Sequence, residues 1–151
     1  QVRRDPFAML PFIGYNVCDY LQHWLDVGAK TTPDKLPKIF YVNWFRKGAN
    51  GKFLWPGFGE NSRVLKWVVE RVAGKAEAKK TAIGYIPTKE SLYLDGLDVS
   101  DESMDELLKL EKEDWVAEIE SIKGHYANYG PKMPKALVEQ LAALEERVSK
   151  M

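Results

Sequence analysis

Six aromatic residues fall within eighteen positions, Tyr41, Trp44, Phe45, Phe53, Trp55 and Phe58, with Gly48, Asn50, Gly51, Pro56, Gly57 and Gly59 set between them. The interleaved residues are turn formers, so the rings cannot share one regular element. Such a loop has two physical uses. Its rings can plug a core beneath it, each burying about 150 to 250 Å². They can instead wall a slot for a flat heterocycle, since stacking on an aromatic face is worth about 1 to 3 kcal/mol. Glycine serves the second use by letting the backbone approach a ring edge closely.

A polar trio, Glu60, Asn61 and Ser62, follows Gly59 directly and precedes the helically spaced Val64, Leu65, Trp67, Val68 and Val72. That order predicts a helix opened by Asn61 or Ser62. The Asn61 amide holds a donor and an acceptor in one plane, which suits the edge of a purine. The same side chain could serve only as a helix cap, and residue type alone leaves both roles open.

Other residue types that do chemistry are scarce. Cys18 is the sole cysteine, which excludes an internal disulfide or a cysteine cluster, and His23 and His125 are the only histidines. No metal site is expected within the chain. Cys18 and His23 lie in a helical pattern without a neighbouring base or second ligand and read as structural. No G-x-x-x-x-G-K-[ST] phosphate loop occurs anywhere in the sequence.

The elements that must position the aromatic loop are legible from periodicity. Val17, Tyr20, Leu21, Trp24 and Leu25 predict a helix over 14–27. A proline-punctuated loop follows, and then the β-branched and aromatic run of residues 38–43, KIFYVN, predicts a strand leading into the aromatic loop. Residues 74–80, GKAEAKK, read as an exposed connection. Beyond it, Ser100 opens a helix carrying Met104, Leu107, Leu108 and Leu110. Trp115, Ile119 and Ile122 form a second stripe that ends near Gly130 and Pro131, and a last helix after Pro134 aligns Leu137, Leu141, Leu144 and Val148. The acidic residues there are expected to form a solvated outer face.

The chain has 151 residues, with 22 basic and 22 acidic side chains and a formal charge of zero, so nothing marks it as a general polyanion or nucleic-acid binder. Hydrophobic residues at 45% and charged residues at 29% are globular usage. No run approaches the roughly 18 to 20 apolar residues of a bilayer span, and QVRRDPFAML has no apolar core for a signal peptide. A cytoplasmic protein without membrane partners is expected. The zero net charge conceals a division: residues 1–75 carry 12 basic against 6 acidic side chains, and residues 76–151 carry 10 against 16. The first stretch is read as the aromatic loop with its supporting helix and strand, the second as a mainly helical region of the same domain. A start at Gln1 that runs straight into core-like apolar residues suggests a piece of a longer protein.

DPFAMLPFIGYN, residues 5–16, and VNWFRKGANGKFLWPGFGENSRVL, residues 42–65, closely resemble the carboxy-terminal part of GTP-dependent phosphoenolpyruvate carboxykinase. IGYIP, residues 83–87, and the closing helical region fit the same pattern, so the resemblance extends over essentially the whole chain. It implies a mixed α/β fold, part of the nucleotide-binding carboxy-terminal lobe of a two-lobed, kinase-like enzyme, ending in a helical region. It implies that Phe45, Phe53 and Phe58 enclose a guanine base, that Asn61 reads its edge, and that Gly59 and Glu60 line the pocket through their backbone. Trp44, Trp55 and Tyr41 are assigned to packing. The implied reaction converts oxaloacetate and GTP to phosphoenolpyruvate, GDP and carbon dioxide. Family members take the phosphate loop, the ligands of Mn²⁺ or Mg²⁺, the reactive cysteine and the substrate-binding arginines from the part preceding this segment. Cys18 is therefore not the reactive cysteine, nor His23 a metal ligand. No catalytic residue is assigned to the segment, which alone should be inactive, and the whole enzyme is expected to act as a monomer. The alternatives are a stand-alone nucleotide-binding module and a protein-interaction domain whose aromatic loop meets a partner.

Overall fold

A computed structural model describes Asp5 and residues 8–151; Gln1 to Arg4, Pro6 and Phe7, which include part of the DPFAMLPFIGYN stretch, lie outside the described residues. The chain forms two compact units, one of residues 1–37 with 112–151 and the other of residues 38–111. They do not follow the charge division at residue 75.

The first unit contains helices α1 (Val17–Ala29), α4 (Lys112–Ala127) and α5 (Lys135–Ser149). α1 starts three residues later than the periodicity suggests. The reason is its cap: the Asn16 side chain accepts a hydrogen bond from the Cys18 N–H at 2.8 Å, satisfying one of the free donors of the first turn. Cys18 is buried on this helix, whereas Trp24 is exposed. α4 and α5 bury Ile119 and Val148 and are joined by a short 3-10 turn at Gly130–Lys132. They run antiparallel, with the Lys112 ammonium donating to the Ser149 carbonyl at 2.7 Å and Lys123 paired with Glu145 at 2.7 Å.

The second unit carries the aromatic loop. Its elements are α2 (Asn61–Val72), the hairpin β1 (Lys79–Thr81) and β2 (Gly84–Ile86), and α3 (Asp101–Leu108). The hairpin is antiparallel, with Lys80 opposite Tyr85. Trp55, Trp67, Ala76, Leu92 and Met104 form the core, with Phe40, Trp44, Val64 and Val68 packed against it. α3 opens as its sequence predicts, with Ser100 capping the Ser103 N–H at 3.2 Å.

Two expectations change here. Residues 38–43 form no strand among the described residues. Phe40 turns inward, edge-on to Trp67 with ring centroids 5.9 Å apart, while Ile39 and Tyr41 point to solvent. β propensity describes a fit to a pleated surface, and without a neighbouring strand there is no such surface to fit. Residues 74–80 are not simply an exposed connection. Ala76 is buried against the core, its carbonyl accepts from Arg71 at 3.2 Å, and the Glu77 carbonyl accepts the Trp67 indole N–H at 3.1 Å. Lys79 and Lys80 then enter β1. The small side chain of Ala76 lets the backbone reach the indole, a tertiary contact invisible in a charged-looking heptapeptide.

Candidate nucleotide-base site

The aromatic loop divides its rings between the two uses open to it. Trp55 is buried and Trp44 packs on the core, whereas Phe45, Phe53 and Phe58 are 73%, 57% and 100% exposed. Tyr41, assigned to packing, is 98% exposed instead. Phe40 takes the inward position against Trp67, and its neighbours Ile39 and Tyr41 are left in solvent.

A narrow turn brings two of the exposed rings together. Lys47 and Phe53 form an antiparallel bridge, flanked by hydrogen bonds from Leu54 N–H to the Arg46 carbonyl and from Gly48 N–H to the Lys52 carbonyl, both 3.0 Å. The turn leaves little room at Gly48, since a Cβ there would stand 3.0 Å from Leu54 Cδ2 and would push that side chain aside. The Phe45 and Phe53 rings lie 6.1 Å apart at 60°, with the Lys47 ammonium 5.1 Å from the Phe53 centroid. The Arg46 guanidinium anchors the turn from below, donating to the carbonyls of Leu107 and Lys109 at 3.1 and 3.0 Å. Those carbonyls end α3 and would otherwise lack partners.

Phe58 stands on the next turn, a single 3-10 turn at Phe58–Glu60 that runs directly into α2. Gly57 has φ 77° and Phe58 has φ 51°. A glycine adopts that region freely, but for a residue with a Cβ it costs about 1 to 2 kcal/mol. A fully exposed phenyl held in a strained backbone stabilises nothing within the chain, and such strain is concentrated at ligand-contacting positions.

Asn61 is the first residue of α2, and its side chain does not cap the helix. Its Oδ1 accepts the Trp55 indole N–H at 3.0 Å. Ser62 Oγ donates to the Gly59 carbonyl at 2.7 Å, closing the 3-10 turn. Glu60 is paired with Arg63, and Arg63 also donates to the carbonyls of Tyr93 and Asp95 at 2.8 and 2.9 Å. Gly59, Glu60, Ser62, Arg63, Lys66 and Tyr93 line an open depression of ≈ 400 Å³ beside this turn. The Arg63 and Lys66 cations lie 5.2 and 5.6 Å from the Tyr93 centroid.

All six residues expected to contact a base therefore fall on two consecutive turns of one unit. Phe45 and Phe53 are in ring contact, and Gly59, Glu60 and Asn61 follow Phe58 without a break. Sequence reasoning missed Arg63, Lys66 and Tyr93. Arg63 had a signal, since it lies three residues after Glu60 on a helix; Tyr93 had none, because only the fold carries it to α2. Exposed rings are groups suited to stacking, and an amide to hydrogen bonding along a ring edge.

The remaining candidates lie in the other unit. Burial, with help from Asp19, raises the Cys18 thiol above the usual thiol range, so little reactive thiolate forms near neutral pH. His23 is exposed, and His125 Nε2 lies 3.3 Å from the Tyr129 hydroxyl. Among the described residues no group of three or more His, Cys, Asp or Glu is placed to hold a metal ion, and no helix is long and apolar enough to cross a membrane.

The class of protein follows from comparison with known families. Residues 1–147 match the family model described as the phosphoenolpyruvate carboxykinase C-terminal P-loop domain. The chain belongs to the GTP-dependent phosphoenolpyruvate carboxykinase family. It is 54% identical over 147 residues to the phosphoenolpyruvate carboxykinase [GTP] of Renibacterium salmoninarum, covering 97% of this chain and 24% of that protein. Its counterpart from Neocallimastix frontalis is 54% identical over 149 residues, covering 98% and 24% respectively. The Paenarthrobacter aurescens protein is 51% identical over 147 residues, with 97% and 24% covered. The chain thus spans about a quarter of the length of these curated relatives, and its fold is mixed helix and sheet, as expected.

Proposed function

We propose that this chain supplies the guanine-recognition part of an enzyme that converts oxaloacetate and GTP to phosphoenolpyruvate, GDP and carbon dioxide, in the gluconeogenic direction, within a two-lobed kinase-like architecture. The observation that carries the reading is the exposure of Phe45, Phe53 and Phe58 on two consecutive turns, the second running directly into Asn61 at the start of α2, while Trp44 and Trp55 of the same loop turn inward and Tyr41 faces solvent. In it, Phe45, Phe53 and Phe58 enclose the base, the Gly59 and Glu60 backbone lines its edge, and Asn61 hydrogen-bonds to it. A base gripped this way fixes the nucleotide so that its phosphates reach groups outside this chain, where the phosphoryl is transferred.

Phosphoryl transfer of this kind uses a divalent ion, which would offset the charge of the phosphates. The described residues do not fit that role, since none form a metal-ligating cluster, so Mn²⁺ or Mg²⁺ would be held by the preceding portion, as would oxaloacetate. The enzyme acts in the cytoplasm as a monomer. A direct test is the GDP affinity of the full-length enzyme after Phe58→Ala. Loss of about tenfold or more in affinity is expected, corresponding to roughly 1.4 kcal/mol of lost stacking. Unaltered GDP binding, or capture of a protein partner that depends on the same ring, would replace the base site with an interaction surface.

A further inference from the structure

We infer that Trp55 is the residue that makes this site choose guanine over adenine, by fixing which end of the Asn61 amide faces the base. The inference rests on the base-site reading above and assigns its selectivity. The indole nitrogen can only donate a hydrogen bond, so the Asn61 atom 3.0 Å from it must be the carbonyl oxygen and not the amide nitrogen. The indole has no freedom to turn away, because Trp55 is 6% exposed and wedged in the cluster with Trp67, Ala76, Leu92 and Met104. With Oδ1 engaged, Asn61 has its NH₂ group left to offer, and it becomes a donor toward any ligand.

The two purines differ at the position such a donor would meet. Guanine carries the O6 acceptor there, and adenine carries the N6 amino donor. To accept from adenine the Asn61 amide would have to rotate by half a turn, placing its NH₂ against the Trp55 N–H, donor against donor. The buried indole would then lose its partner, a cost that falls on adenine alone. Asn61 is itself only half-buried, so without Trp55 either amide orientation would be available. Trp55 is thus a positioning residue that acts through Asn61.

The test uses the full-length enzyme and the ratio of kcat/KM for GTP to that for ATP. Trp55→Phe keeps a ring in the core and deletes only the donor. It should lower the GTP/ATP ratio by about tenfold or more, through a gain with ATP as well as a loss with GTP, while ITP, which shares O6, follows GTP. A Trp55→Phe enzyme whose GTP and ATP values fall by one common factor, or do not change, overturns the inference and shows that Trp55 only packs. ITP behaving like ATP overturns it too, since selection would then rest on the 2-amino group. Should Trp55→Phe fail to fold, Asn61→Asp leaves an acceptor for the indole and removes the donor. Its GTP/ATP ratio should also fall, and an unchanged ratio overturns the inference. If the wild-type enzyme itself shows no preference for GTP, the base-site reading fails before the role of Trp55 is reached.

Discussion

At two neighbouring positions, Phe58 and Gly59, the side-chain choice serves no packing among the described residues. Phe58 is strained and wholly exposed. Replacing it with glycine removes the strain while adding about 0.5 to 1 kcal/mol of unfolded-chain entropy. Phe58→Gly should therefore leave thermal stability unchanged or slightly raised while nucleotide affinity drops, and a fall in stability above about 1 kcal/mol in denaturant titration would show that the ring packs after all. At Gly59 a Cβ would meet open space. Gly59→Ala should accordingly fold normally yet, if the proposed base site is correct, bind GDP about tenfold more weakly, because the added methyl would crowd the ring edge placed there. Calorimetry on the full-length enzyme reads both quantities in one sample. At Cys18, burial and the raised thiol predict slow alkylation near pH 8 in the native protein and rapid alkylation in denaturant, which peptide mapping can follow.

Elements matter here for what they hold still. α2 presents Asn61 at its first residue and Trp67 six residues later, so the end proposed to face a base and the core anchor belong to one helix. The anchor combines area with a hydrogen bond: Trp67 is 4% exposed and its indole N–H reaches the Glu77 carbonyl. Trp67→Ala should cost about 3 to 5 kcal/mol, as large aromatic truncations in cores do, and Trp67→Phe appreciably less. Chemical denaturation midpoints distinguish the two variants. α3 contributes at second hand, because its last carbonyls hold the Arg46 guanidinium under the Phe45 turn. Removing the cap with Ser100→Ala should cost about 1 kcal/mol without a direct effect on nucleotide contacts. A loss of GDP affinity exceeding that destabilisation would indicate that the α3 to Arg46 linkage itself sets the loop geometry. The helices were readable because their apolar residues recur every three or four positions. The two-stranded hairpin was not, since its strands are three residues each and carry two lysines and a glycine.

The molecule as a whole is the carboxy-terminal part of a carboxykinase-family chain, and recognition is the role proposed for it. Its described residues include three exposed rings, an amide at a helix start and an open depression lined by Glu60, Arg63, Lys66 and Tyr93, and it spans about a quarter of its relatives' length. The isolated 151 residues, assayed with oxaloacetate, GTP and manganese, should give no phosphoenolpyruvate above background. Sustained turnover would mean that catalytic groups reside in this chain. The family assignment rested on FLWPGFGEN and its flanks, a run dense enough in glycine and aromatic residues to be specific. The same run shows the limit of that legibility, because nothing in it says which rings turn inward.

Residue types and spacing alone determined that this chain forms a loop of rings ahead of an amide and a helix, that helices recur from Ser100 onward, and that a single cysteine leaves no internal disulfide to form. Those conclusions depend on local periodicity and on an inventory of functional groups, both carried by the primary structure. Only the tertiary structure decided that Trp55 points into the core while Phe45, Phe53 and Phe58 point out, that residues 38–43 stay unpaired among the described residues, that Ala76 is buried, and that the Asn61 oxygen is engaged by an indole. Each of these is a choice of partner, and partners are set by which segments the folded core brings together.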